Sequence, residues 1–139
     1  MKIERLAYKD MDGITVYPDS VVLLEGLGIK GDIKAMGGKR QLSILPKIVR
    51  NGIDFKEFSG LCIRRYRENI TWSGEGDFIK GKKYSIGEAV IQISELTKEC
   101  FPECENIIEN LPCPLLYSAA YAEILNGGTI AVGDEILPL

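Results

Sequence analysis

Apolar residues in this chain fall in short runs and alternations broken by glycine and proline, which predicts strands joined by turns. Ile3, Leu6 and Tyr8 mark a first strand, and Ile14-Thr15-Val16-Tyr17 a second. Pro18-Asp19 then turns the chain into the valine-rich run Ser20–Leu24, expected to be buried. Residues 26–40 hold five glycines within thirteen positions and predict a long loop. Gln41-Leu42-Ser43-Ile44-Leu45 alternates as a half-buried strand should. Pro46 opens a short helix to about Arg50, stopped by Asn51-Gly52. Residues 61–64 and 69–72 predict strand pieces around an arginine corner, and 74–83 a charged loop. In 86–93 and 132–137 a glycine-acidic turn precedes a strand, as at the corners of barrels. Residues 103–110 and 115–125 have helical spacing, the second ended by Asn126-Gly127-Gly128. The fold class expected is mainly β, a barrel or folded sheet with two or three short helices. Too little strand-helix alternation is present for a doubly wound fold.

Length changes the picture little: 139 residues, 45% hydrophobic, make one domain over 1–139 with a real core. The first residues lack a secretory pattern, and no apolar run reaches the roughly 18 residues that span a bilayer. A cytoplasmic chain with no membrane partner and reduced cysteines is expected. Charge is more informative. From Lys30 to Glu68 ten basic residues stand against four acidic ones, whereas 88–139 holds nine acidic residues and one lysine. The basic middle is suited to an anion or to the acidic tail. Nucleic acid is not an expected partner: the isoelectric point is near 5.1, and Tyr66 is the only aromatic in the arginine corner.

Candidate chemistry lies in the cysteines, because the chain has no histidine. Three of four cysteines fall in the run Lys98-Glu99-Cys100-Phe101-Pro102-Glu103-Cys104 and, nine residues on, at Cys113. Glu99, Glu103 and Glu105 beside these thiols disfavour the nucleophilic thiolate. A loop bearing Lys39 and Arg40, or the corner Arg64, Arg65 and Arg67, laid over Cys100 would restore it and bind an anion. A single structural zinc site on the four thiols is disfavoured by their spacing. Cys62, between Leu61 and Ile63, reads as a core residue. Cys104 and Cys113 are possible auxiliary thiols, Cys113 held in a rigid turn between two prolines.

Several pieces together resemble a known family. They are Gly31-Asp32-x-x-Ala35, Arg40-Gln41-Leu42-Ser43, Glu68-Asn69-Ile70-Thr71 with Gly74, and Ile86-Gly87-Glu88-Ala89-Val90. Lys98-Glu99-Cys100-x-x-x-Cys104 follows, then Cys113-Pro114, 121–128 and Gly133-Asp134-Glu135-Ile136. In this order they resemble a single-domain MOSC protein, the module named for the C-terminal part of molybdenum cofactor sulfurase. The resemblance implies a strand-rich barrel that binds the molybdenum cofactor, an anionic pterin (molybdopterin) with a phosphate and a dithiolene. It maps the signature cysteine to Cys100, as sulfur carrier or metal ligand, and cofactor-binding positions to Lys39, Arg40, Arg67 and Asn69. Lys34 and Phe101 stand where many relatives have histidine, so proton transfer by imidazole is absent. The resemblance therefore implies a persulfide carrier or accessory serving a molybdoenzyme or cysteine desulfurase. Its alternative is a small molybdenum-dependent reductase of N-hydroxylated compounds with Cys100 on the metal.

Overall fold

A ring of strands forms the body of the protein. The computed structural model describes residues 1–139 apart from 56–59, 61, 98–99 and 112. In chain order the strands are β1 (Lys2–Leu6), β2 (Tyr8–Lys9), β3 (Thr15–Val16), β4 (Ser20–Leu24), β5 (Gly28–Ile29), β6 (Leu42–Pro46), β7 (Ile70–Ser73), β8 (Lys83–Ile86), β9 (Ala89–Glu95), β10 (Ala120–Asn126), β11 (Gly128–Ala131) and β12 (Ile136–Pro138). The helices are α1 (Lys47–Asp54), α2 (Glu105–Ile108) and α3 (Pro114–Ser118).

Seven strands make one sheet in the order β1-β7-β6-β10-β9-β8-β12. Its two edges nearly close into a barrel. The Ile136 amide donates to the Met1 carbonyl at 2.8 Å and the Ile3 amide to the Asp134 carbonyl at 2.9 Å. Meeting edges satisfy backbone groups that an open sheet would expose. Smaller sheets, β11-β4-β5 and β2-β3, flank the ring. Among the described residues the one parallel pair is β6 with β7, where Ile44 faces Ile70. Parallel neighbours need a crossover, and α1 with the segment leading to Asn69 provides it.

The pleat explains two cores. On β9, Ala89, Ile91 and Ile93 are buried while Val90 and Gln92 are half-buried on the other face. They join Ile44, Ile70 and Ile124 inside the barrel. Leu45 points the opposite way from Ile44 and packs beneath the helices with Ile53, Ile63, Cys113, Leu115 and Tyr121. Strand β6 is thus covered on both faces. Each fully buried isoleucine or leucine contributes roughly 1.5–3 kcal/mol.

The two glycine-acidic turns meet in space. The Thr129 amide donates to Glu88 Oε1 and the Ala131 amide to Asp134 Oδ2, both at 2.8 Å. Gly87 has φ +52°, and a Cβ there would lie 2.6 Å from Asp134 Oδ2. Only glycine permits that approach.

Several expected boundaries are corrected. The helix expected over 115–125 ends at Ser118, and β10 begins at Ala120, between β6 and β9. A short run buried on both faces has no periodicity to distinguish strand from helix. Residues 62–65 are turn, not strand, and Leu61 lies outside the described residues. Asn51-Gly52 does not stop α1, because Gly52 is buried against the fold and the helix runs to Asp54. The helix expected over 103–110 is reduced to Glu105–Ile108. Among the described residues no helix is long and apolar enough to cross a membrane.

Candidate functional site

One segment, residues 62–69, stands between two cavities, and a buried ion pair fixes it. The amides of Arg65 and Tyr66 both donate to the Cys62 carbonyl, at 3.1 and 2.9 Å, making a single turn. From α1, Arg50 Nη2 donates to Glu68 Oε2 at 2.6 Å and to the Tyr66 carbonyl at 2.8 Å. Thr71 Oγ1 donates to Glu68 Oε1 at 2.5 Å, and Arg5 reaches the same oxygen at 3.5 Å. Burial alone would raise the Glu68 pKa. Hydrogen bonds from Arg50 and Thr71, with the Arg50 charge, bring it below its ordinary value. Glu68 is therefore an ionised anchor. Burial pushes the Tyr66 phenol well above its usual range, and its hydroxyl has no hydrogen-bond partner among the described residues.

On one side of this segment all four cysteines line a single cavity. It offers about 10 Å³, close to the least that seats one water-sized atom, and its open lining is apolar. No disulfide joins Cys62, Cys100, Cys104 and Cys113. Cys104 and Cys113 are buried, 7% and 9% exposed, whereas Cys62 and Cys100 are half-buried. A turn closed by the Cys104 amide on the Phe101 carbonyl, at 3.0 Å, keeps Cys104 beside Cys100. Gly60, at φ +146°, leaves the place that a Cβ would occupy to the Asn106 amide. Cys62, read as a core residue, both packs against the second core and lines this cavity. Among the described residues no lysine or arginine lines it, and no group of three or more cysteines or carboxylates is arranged to hold a metal ion. Lys98 and Glu99 of the cysteine motif lie outside the described residues.

The other side carries the charge. A cleft of about 60 Å³ is lined by Lys9, Lys34, Arg65 and Arg67, together with Asp32 and Asn69. The loop 26–40 reaches it because the Ile33 amide donates to the Lys9 carbonyl at 2.9 Å. Asp32 is buried and accepts the Lys34 amide at 2.9 Å. None of the four cations is ion-paired among the described residues. Arg67 donates Nη1 to the Tyr66 carbonyl at 2.7 Å. Asn69 has a different task. Its Oδ1 accepts from the Ser43 amide and hydroxyl at 2.9 and 3.1 Å, and its Nδ2 donates to the Ala7 carbonyl at 3.0 Å. That amide staples β6 to the link between β1 and β2.

Lys39 and Arg40 border neither cavity. Lys39 lies along an open groove of about 650 Å³ with Lys80, Gln92 and Glu123. Arg40 donates Nε and Nη2 to Glu95 Oε2, at 3.0 and 2.7 Å, and lies 4.6 Å over the Tyr121 ring. The seven predicted site positions thus divide among Cys100, Cys104 and Cys113 in the thiol cavity, Arg67 and Asn69 in the cleft, and Lys39 and Arg40 outside both. Lys9, Arg65 and Asp32 were not among the predicted positions. Arg65 had a signal in the arginine corner and Asp32 in the Gly-Asp motif; Lys9 had none.

A strand-rich barrel with a cysteine-bearing helical corner defines the class. The MOSC domain family model matches residues 49–137, and the chain belongs to that family. Solved structures agree on the fold. YuaD from Bacillus subtilis is similar at TM-score 0.66 and 19% identity, over 97% of this chain and 93% of that one. YiiM from Escherichia coli gives 0.62 and 18%, over 100% and 70%. YiiM from Geobacillus stearothermophilus gives 0.57 and 19%, over 99% and 74%. No curated protein sequence matches the chain.

The family is associated with the molybdenum cofactor, and the residues present fit that group only in part. The cleft's cations suit its phosphate. The thiol cavity, with room for one atom and no cation among its described lining, does not suit a pterin with its metal on Cys100.

Proposed function

We propose that this MOSC protein carries sulfur as a persulfide on Cys100, as an accessory to molybdenum cofactor chemistry. The observation that supports this reading is the gathering of four thiols around one apolar, atom-sized cavity with Cys100 half-buried at it. A sulfane sulfur adds one soft atom to the thiol, and a cavity of this size has room for one. Loading is redox-neutral. The Cys100 thiolate, which no cation of the described lining favours and which forms as the half-buried thiol exchanges its proton with water, attacks the outer sulfur of a donor persulfide, such as that of a cysteine desulfurase, and the donor leaves as its own thiolate. The acceptor is a molybdoenzyme or its cofactor, and the cation cleft, with Arg67, Lys9, Lys34 and Arg65, would hold the phosphate of an anionic pterin. Asn69 shapes that cleft and does not ligate. The reductase alternative requires a metal-bound Cys100 within reach of the cations, and the division between the two cavities argues against it.

The test is to incubate the protein with a cysteine desulfurase and cysteine, then measure intact mass and molybdenum content. The expected result is one added sulfur on Cys100, absent in Cys100→Ser, without stoichiometric metal. Stoichiometric molybdenum with reductase activity and no added sulfur would establish the alternative.

A further inference from the structure

The cavity holds three thiols that loading does not use. Cys100 and Cys62 are half-buried, whereas Cys104 and Cys113 are nearly closed to solvent. The turn closed from Cys104 to Phe101 brings the residues at its two ends within about 7 Å, and Cys100 is bonded to one of those ends. An accessible thiol beside a protected one, in an apolar space of one atom's size, is an arrangement for moving one atom inward.

We propose that Cys104 is the internal acceptor of sulfane sulfur, taking it from the Cys100 persulfide by transpersulfidation and holding it away from solvent. The proposal rests on the carrier reading. In the step, the Cys104 thiolate attacks the outer sulfur of Cys100–S–SH. The new bond is between Cys104 Sγ and that sulfur, the bond broken is between it and Cys100 Sγ, and the electron pair leaves on the Cys100 thiolate. The released Cys100 thiolate takes up the proton that Cys104 gave up on ionising, so the exchange is proton-neutral. No external oxidant or reductant is consumed. Cys100 is then ready for a second sulfur, so the chain can hold two. Burial at Cys104 serves retention: soluble thiols and cyanide reach a persulfide on Cys100 far faster than one on Cys104. Cys113 and Cys62 wall the same cavity, and Cys113 is fixed by the second core.

The experiment uses the whole chain and inorganic polysulfide as donor, with timed alkylation and tandem mass spectrometry to place the added sulfur. In the unmodified protein the label is expected on Cys100 first and on Cys104 later, the Cys104 fraction resisting cyanide. In Cys104→Ala it stays on Cys100 and is wholly cyanide-sensitive. In Cys100→Ser, loading of Cys104 slows by about tenfold or more, because the buried thiol has lost its supplier. Three results overturn the relay: label that never leaves Cys100 in the unmodified protein, label reaching Cys104 equally fast in Cys100→Ser, or a Cys100–Cys104 disulfide with release of sulfide. The unmodified time course needs no variant and stands even if a substitution unfolds the chain. Failure of Cys100 itself to take up sulfur would instead overturn the carrier reading, a distinct outcome.

Discussion

Cys62 and Arg65 stand one hydrogen-bonded turn apart, yet they border cavities of opposite character. On the Cys62 side are thiols, apolar walls and room for one atom. On the Arg65 side are four cations without ion-pair partners among the described residues, and a larger cleft. The difference comes from alternation along one segment: Tyr66 turns into the second core, while Arg65 and Arg67 on either side of it turn out to the cleft. A few residues can therefore separate soft chemistry from charge, provided that the segment does not move.

That proviso gives the largest expected effect. Arg50 holds both the Tyr66 carbonyl and Glu68, and its side chain is only 3% exposed. Arg50→Ala leaves the Glu68 charge with only Thr71 and a distant Arg5, a loss of about 3–5 kcal/mol. Urea denaturation is expected to show that loss, with sulfur loading and phosphate binding impaired together. Loss of one function with the other intact would mean that the segment is not a shared wall.

Glu68 also sets a pH dependence. Its folded pKa lies below the unfolded value of about 4.3, so its stabilisation is complete above that pH and is lost as pH falls through it toward the folded value. Glu68→Gln is expected to be less stable at neutral pH, and its stability should fall less steeply between about pH 4.3 and more acidic conditions. Equal acid slopes in the two proteins would assign the effect to other carboxylates.

The cleft can be weakened separately. Arg65 and Arg67 are both exposed, so each guanidinium is expected to contribute near the lower end for a charge-assisted hydrogen bond, about 1.5 kcal/mol or tenfold in affinity. The double variant Arg65→Ala/Arg67→Ala should bind inorganic phosphate about a hundredfold more weakly by titration calorimetry at low salt. Sulfur loading at Cys100 should be unchanged. A parallel fall in loading would merge the two cavities into one site.

The barrel was the legible part. Alternation in 89–93 and the glycine-acidic turns report local rules of pleat and backbone, so they survive without knowledge of their neighbours. Strand β10 was not legible, since residues covered on both faces lose their period. The candidate site was legible in composition but not in arrangement. Cys100, Arg67 and Asn69 are each in or beside a cavity, but which cavity depends on how the crossover from β6 to β7 lies, and spacing along the chain does not carry that. Nor does it show that the Asn69 amide is fully engaged by Ser43 and Ala7. Arg50 was counted in the basic middle suited to an anion, although it is the most buried cation described. Its pairing with Glu68, eighteen positions on, together with Asp54 and the Tyr66 carbonyl, makes burial tolerable.

Arg40 supplies the smallest effect and the sharpest control. Its position in the chain suggested that it belongs over the signature cysteine, but its guanidinium lies between Glu95 and the Tyr121 ring. The Arg40 hydrogen bonds hold the Glu95 carboxyl below its ordinary pKa, and both side chains remain partly open to solvent. Screening then limits the pair and the ring contact to about 0.5–1 kcal/mol. Arg40→Ala is expected to lower the melting temperature slightly at low salt and less at high salt. Phosphate affinity and sulfur uptake should not change, because neither cavity includes this residue among its lining. If sulfur uptake at Cys100 disappeared instead, a positive charge would have to reach the thiol during loading, and the division of soft chemistry from charge would not hold in the working protein.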